Sequence, residues 1–450
     1  MVDFSKIDLM QLRAACCTDD GKLSEPQIAN LLIESSGMVS LHGTPYGADG
    51  EISESELTKP LAELLSALGQ HSGVANKVLA IKRLAVQLSA VESIPLKKNE
   101  IPFTNGTVTI HEDGSHTFST EKHPAPYRLA CEYDANAKDL TWFKYWMNIL
   151  HEDDWDCFQE IMGYLLLPVT YGQYAFFLLG AGGCGKSVWG CILNKIFGGA
   201  MTTANTHDIE EDRFTRATLE NKLVNYDDDL NGAALKKTNV FKIIVTAKQP
   251  IQGERKGVDK FEFLPYARLC ACGNFALTSM HDTTDAFTRR LLPIRVKDPI
   301  EDADVIPDIE ERIYPETSAI VNWALEGLKR LIQNNYRFSI SERTKNLVQE
   351  IREDSNSILP FIDDMLDFNP GYRMTTTDLT RAYTNYCVAQ RKTARGPKTV
   401  ISYFKENADR LGLRYTKHCV GDARGFIGMK LKSDKSQKPS MDLDKLFSGG

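Results

Sequence analysis

The chain has 450 residues, 42% hydrophobic and 25% charged, enough apolar material for more than one core and for two to four domains. No run approaches the ~18 consecutive apolar residues of a membrane span, and the start (MVDFSKIDLM) lacks a basic-then-apolar signal pattern, so neither a membrane nor a secreted protein is expected. The net charge of −7 is unevenly spread: from Gly371 to Gly450 sixteen Lys and Arg face seven Asp and Glu, so the tail carries +9 and the remainder −16. A basic end on an acidic chain suits a polyanion-binding module. The ten cysteines are scattered, without Cys-x-x-Cys or zinc-site spacing, and read as buried thiols of a reducing compartment.

In chain order, residues 1–95 read as helical. Apolar residues recur three and four apart in SEPQIANLLIES and ELTKPLAELLSALGQ, with Ser24 and Ser53 as caps. The stretch GTPYGADG, Gly43 to Gly50, reads as a loop by composition. Residues 96–170 open with a β-hairpin, in which Thr107–Ile110 alternates and HEDGSH turns, and continue as an aromatic-rich helical block from Leu140 to Leu167. Residues 171–305 alternate short apolar strands with helical runs, the pattern of an α/β domain. Residues 306–368 are helical. The basic segment 369–432 offers helices over Thr377–Gln390 and Thr399–Leu411 and a β-like pair around Gly421 and Gly425. Residues 433–450 have the composition of a disordered tail.

The strongest local signal runs from Gly180 to Ser187, GAGGCGKS, a full match to G-x-x-x-x-G-K-[ST]. It follows the apolar run Ala175–Leu179, suited to a buried parallel strand, and precedes a helical stretch Val188–Phe197. Backbone N–H groups of Gly180, Gly182, Gly183, Cys184 and Gly185 can wrap phosphates at the positive end of a helix entered at Val188. Lys186 can reach the β/γ-phosphates, and the Ser187 hydroxyl can ligate Mg²⁺. This is an NTP-binding pattern. About forty residues on, the strand Lys222–Tyr226 runs into Asp227, Asp228 and Asp229, three carboxylates on one solvated turn whose repulsion a divalent cation relieves. Asp228 is preferred for the metal and Asp229 for water activation, with Asp227 a competitor, because one register step reverses facing.

A further strand, Tyr266–Cys272, ends in Asn274, an amide able to hydrogen-bond water beside a γ-phosphate without adding charge. Arg289 and Arg290 precede the apolar run Leu291–Ile294 and could stabilise charge on a neighbouring subunit's nucleotide. Between acids and amide, Pro250 to Phe263 forms two alternating segments with a basic tip, where Arg255, Lys256 and Lys260 suit a phosphate backbone.

This order of parts resembles the superfamily 3 helicases, and more narrowly the phage, plasmid and poxvirus primase–helicase group, over residues 95–430. Asn105-Gly106, Tyr133-Asp134 and the block through Gly163-Tyr164 are similar to the group's helical collar; Val321-Asn322-Trp323 through Gly327 is similar to its helix after the ATPase. The resemblance implies an α/β fold: an AAA+-like P-loop NTPase core with a parallel sheet, a helical N-terminal and collar region, and a C-terminal winged-helix-like domain. It implies a hexameric ring with ATP and Mg²⁺ at subunit interfaces and Arg290 acting in trans, with Arg289 its competitor. The hairpin of Arg255, Lys256 and Lys260 would line a channel and move single-stranded DNA, usually 3′ to 5′ in this superfamily. The chain departs from the group in carrying only Asp where a second acidic position is often Glu. The segment before the collar lacks an acid–histidine metal constellation, so no priming activity is expected.

The expectation is therefore an ATP-dependent replicative DNA helicase of a mobile genetic element, working in the host cytoplasm. Its basic tail would anchor duplex or origin DNA through Thr399–Leu411, the run Arg391, Lys392, Arg395, Lys398, and a wing with Arg414, Lys417 and Arg424. The alternative is a P-loop ATPase or initiator that binds DNA or remodels protein without processive unwinding.

Overall fold

The computed structural model describes residues 4, 7–48, 50–92, 94–230, 235–257, 260–279, 285–301, 305–355, 358–390, 394 and 396–432. They divide into two compact units, residues 1–277 with 289–348, and residues 278–288 with 349–450.

The first unit begins with α1 (Leu9–Cys16) and α2 (Glu25–Ser36). Ser24 caps α2 by accepting from the Gln27 amide. The segment expected to be a loop is instead a three-stranded antiparallel sheet of β1 (Val39–Leu41), β2 (Thr44–Gly47) and β3 (Gly50–Glu51). Leu41 pairs with Thr44, so the turn is the two residues His42 and Gly43, both left-handed at φ 50° and 81°. Such a turn matches strand twist, and the glycines mark its corners rather than a whole loop. Next come α3 (Glu54–Ala67), started by a reciprocal Ser53–Glu56 capping box, and α4 (Val74–Leu88). Leu32, Leu61, Leu65 and Ile81 are fully buried among these helices.

A second three-stranded sheet follows: β4 (Glu100–Phe103), β5 (Gly106–Ile110) and β6 (His116–Ser119). Then come α5 (Thr141–Met147) and α6 (Trp155–Leu165). The α/β region contains β7 (Ala175–Leu179), α7 (Val188–Phe197), β8 (Met201–Thr202), α8 (Thr206–Glu211), α9 (Arg213–Ala217), β9 (Val224–Asp227), α10 (Asn239–Thr246), β10 (Ile251–Gly253), β11 (Phe261–Phe263), β12 (Arg268–Gly273), α11 (Asp285–Thr288) and β13 (Leu291–Arg295). Of these, α11 belongs to the second unit. Five strands form one parallel sheet in the order β13-β7-β12-β9-β8. Every residue of β7 and β12 is buried, which is why β7, and β12 after Arg268, read as apolar runs rather than alternating ones.

Three helices complete this part: α12 (Ile309–Ile313), α13 (Thr317–Gln333) and α14 (Glu342–Ser355), the last running into the second unit. Helices α6 and α13 cross at two glycines. A Cβ on Gly163 would lie 2.3 Å from the Ala324 carbonyl oxygen, and one on Gly327 would lie 2.4 Å from that of Gln159. Buried Glu160 ties the crossing by accepting from Arg330 Nε at 2.7 Å and the Ser339 amide at 2.6 Å. Arg268, at the start of β12, is buried with no carboxylate partner among the described residues. It donates to the carbonyls of Val169 (2.6 Å) and Leu167 past the end of α6 and lies over the Tyr164 ring. Desolvation lowers its pKa from the ordinary guanidinium value, and those carbonyl dipoles hold it in place.

The second unit runs α15 (Ile358–Met365), β14 (Leu366–Thr375), α16 (Thr376–Ala389), α17 (Pro397–Glu406), α18 (Ala408–Leu411), β15 (Arg414–Val420) and β16 (Ala423–Leu431). Its antiparallel sheet has the order β14-β16-β15 over a core including Phe361, Leu379, Tyr383, Phe404 and Phe426. Leu366–Phe368, expected as helix, opens β14, where Leu366 pairs with Leu431. Arg414, Lys417 and Arg424 are exposed; Arg391, Lys392, Arg395 and the tail 433–450 lie outside the described residues.

All ten cysteines are free thiols; eight are buried as expected, and Cys17 and Cys191 are half-buried. Among the described residues, no helix is long and apolar enough to cross a membrane.

The helix crossing gives a test. Gly163→Ala or Gly327→Ala forces a methyl into backbone and should cost about 1–3 kcal/mol in denaturant unfolding. Wild-type stability in both variants would show that the crossing is not tight.

Candidate nucleotide site and basic hairpin

The nucleotide-binding pattern lies at the C-terminal edge of the parallel sheet. The loop from Gly180 to Ser187 joins β7 to α7, with Gly183 and Gly185 left-handed at φ 79° and 73°. Successive turns of this kind form an anion-binding concavity of amides at a helix start. The carbonyl oxygens that would repel a phosphate are engaged elsewhere. Gly183 O accepts from the Ile300 amide at 3.3 Å, and Gly185 O accepts from Trp146 Nε1 at 2.9 Å. Cys184 is buried beneath the loop, whereas Ser187 is exposed and Val188 half-buried at the helix start. Lys186 folds over its own loop, donating to Gly180 O at 2.9 Å and Ala181 O at 2.6 Å. It must release these carbonyls to meet a phosphate.

Strand β12 lies between β7 and β9, so its end collects the other parts. The Gly180 amide donates to Gly273 O at 3.1 Å, and the Leu230 amide donates to Cys272 O at 2.8 Å. The phosphate loop and the acidic run are thereby zipped to one strand, and exposed Asn274 follows it directly.

The expectation of three unpartnered carboxylates on one solvated turn is corrected. Asp227 is the last residue of β9, 5% exposed, and accepts from the Thr206 amide at 2.7 Å, the first residue of α8. Its carboxylate is spent on a helix start, an interaction across twenty-one residues of sequence that local reading does not see. Asp228 and Asp229 are exposed. Asp228 Oδ1 accepts from the Tyr226 hydroxyl at 3.0 Å. That hydroxyl also lies 3.1 Å from Cys272 Sγ, and the Tyr226 ring occupies the space a Cβ on Gly190 of α7 would need. Asp228 therefore sits on the α7 side of the sheet, with the phosphate loop, and Asp227 on the α8 side. Burial, first of all, holds the Tyr226 phenol far above its ordinary pKa and pushes the Cys272 thiol up to about 12, so both are neutral, the phenol donating to Asp228 and the thiol to the Lys186 carbonyl at 3.5 Å.

Arg289 and Arg290 lie at the opposite edge of the sheet. The Ala175 amide donates to Arg290 O at 2.8 Å, and Leu291 pairs with Ala175 where β7 begins. Five residues of strand separate this edge from Gly180, roughly 17 Å at the usual rise. Arg289 is exposed and Arg290 half-buried.

The basic hairpin forms as expected, with Ile251 paired to Phe263 and Gly253 to Phe261. Its three cations differ. Lys256 and Lys260 are exposed, but Arg255 bonds Glu220 at 2.5 Å and lies over the Phe261 ring. Trp146, Tyr226, Glu220 and Glu316 escaped sequence reading. Glu316 accepts from the Trp142 and Phe143 amides at 2.8 and 2.9 Å and so seats α5, from which Trp146 reaches the phosphate loop.

Residues 178–290 match a protein family described as a family of unknown function (DUF5906). No curated protein matches the chain. Among solved structures, the apo C-terminal region of NrS-1 has the same fold, with a TM-score of 0.50 and 13% identity over 90% of this chain and 100% of that one. A structure of the JCV helicase bound to a small molecule matches 48% of this chain and 60% of its own, at 12% identity and a TM-score of 0.28.

Trp146→Phe removes one hydrogen bond from Gly185 O, about 0.5–1.5 kcal/mol. It should weaken nucleotide binding roughly 2–10-fold in a titration. Unchanged affinity would remove Trp146 from the site.

Proposed function

We propose that the chain is an ATP-driven DNA helicase of superfamily 3 type, the replicative motor of a phage, satellite or plasmid, acting in the host cytoplasm. The observation that carries this reading is the two-edged sheet. Phosphate loop, Asp228, Asp229 and Asn274 share one edge, while Arg289 and Arg290 stand roughly 17 Å away on the other, too far to serve their own loop. A site that needs both edges is completed by a second copy, which supports a ring of copies, six being the number the superfamily 3 resemblance implies.

Residues 180, 182–185 and 188 would hold ATP, with Lys186 on the β/γ-phosphates, and Ser187 and Asp228 would hold Mg²⁺. The fit is chemical: left-handed glycines with engaged carbonyls for the anion, and oxygen donors for a hard cation. Bound Mg²⁺ supplies neutralisation of the charge developing on the transferred phosphoryl group. Asp229 orients and deprotonates water, Asn274 hydrogen-bonds it, and Lys186 with a neighbour's Arg290 stabilises negative charge. Tyr226 holds the Asp228 carboxylate in place.

Lys256 and Lys260 would track single-stranded DNA with little sequence preference, 3′ to 5′. In the second unit, the order α15-β14-α16-α17-α18-β15-β16 supports a winged-helix reading, with α17 as recognition helix and Arg414, Lys417 and Arg424 on the wing for duplex or origin DNA.

Lys186→Ala should abolish ATP turnover, and retained turnover would remove the site assignment. Lys256→Ala should lower unwinding of a 3′-tailed duplex more than tenfold. A wild-type rate there, with no stimulation of ATP turnover by single strands in the native protein, would favour a non-unwinding ATPase or initiator.

A further inference from the structure

The hairpin is tied at Arg255, just beyond its last strand pair, to the N-terminal module, for which the sequence offers no role. Glu220, between α9 and β9, has a side chain only 6% exposed, yet it carries two partners. Its Oε2 meets Arg255 Nη2 at 2.5 Å, and its Oε1 meets Nδ1 of His42, in the β1–β2 turn, at 3.1 Å. Phe261 of the hairpin lies between them, 4.9 Å from the Arg255 guanidinium and 5.8 Å from the His42 ring. One residue on, Asn221 donates to the Tyr46 hydroxyl of β2 at 2.8 Å. Beside this contact opens a cavity of about 460 Å³ lined by Tyr46, Glu51, Phe214, Glu220, Arg255 and Lys256.

We propose that the N-terminal module is a latch on the DNA hairpin: Glu220 and His42 keep Arg255 from the strand, and opening the contact adds that guanidinium to the cations that hold DNA. The DNA half of this inference rests on the function proposed above; the latch itself does not. Arg255 Nη2 is engaged by a nearly buried carboxylate and its guanidinium is stacked on Phe261, so its charge is neutralised in the latched form, whereas Lys256 and Lys260 are exposed there. The adjoining cavity gives Arg255 somewhere to turn without rebuilding β10 and β11. His42 meets the other oxygen of the same carboxylate, so one acid ties the N-terminal module and the hairpin together. The hairpin thus has a closed form with two available cations and an open form with three.

Two readouts on the full chain test this. Hydrogen exchange of residues 250–263 reads the latch without DNA, and should quicken in Glu220→Gln and His42→Ala. Unchanged exchange in both variants would overturn the latch. The salt dependence of oligo-dT binding reads the freed cation. Each phosphate neutralised on a single strand steepens log K against log salt by about 0.7. Glu220→Gln should steepen it by that amount, Arg255→Ala should match wild type, and Glu220→Gln/Arg255→Ala should return to wild type. A shallower slope in Arg255→Ala would mean that Arg255 already holds DNA. A steep slope kept in the double variant would assign the effect to the lost acid alone. Either outcome overturns the proposal. If no variant binds oligo-dT, the motor reading and the DNA half fail, while exchange still decides the latch.

Discussion

The shared direction of five strands is the constraint on which the site depends. In a parallel sheet every strand delivers its C-terminal end to the same edge, so loops distant in sequence meet there. The Gly180–Ser187 loop after β7, the aspartates after β9 and Asn274 after β12 gather for that reason. Whatever precedes a strand is delivered to the far edge, as Arg289 and Arg290 are before β13. Geometry thus divides the charged groups into two sets at opposite edges of the sheet.

Around that division, the first unit uses buried polar groups to set loops and helices. Glu316 seats α5, which lets Trp146 hold the phosphate loop; Asp227 seats α8; Arg268 ties the root of β12 to the carbonyls after α6. Each sets a buried charge against backbone dipoles. The hairpin follows another rule, since its Arg255 is held by an acid that also answers to His42.

What was legible in the sequence was contiguous. The loop from Gly180 to Ser187, its strand and its helix are one uninterrupted stretch, as is the hairpin from Ile251 to Phe263. What was not legible acts across distance. Asp227 looked equivalent to its two neighbours until Thr206 met it, and Arg255 looked like Lys256 until Glu220 did. The β1–β2 hairpin was hidden by short strands containing Pro45, where composition pointed to a loop but a His42-Gly43 turn made a pair.

Mixing two inactive variants measures the central claim most directly. Lys186→Ala lacks a working phosphate loop and Arg290→Ala lacks the far-edge guanidinium, so each alone should turn over little ATP. If the site is shared, about a quarter of the interfaces in randomly mixed rings pair an intact loop with an intact arginine, and turnover should reappear on mixing. Mixtures no more active than the separate variants, or Arg290→Ala turning over ATP at the native rate, would contradict a site built from two copies.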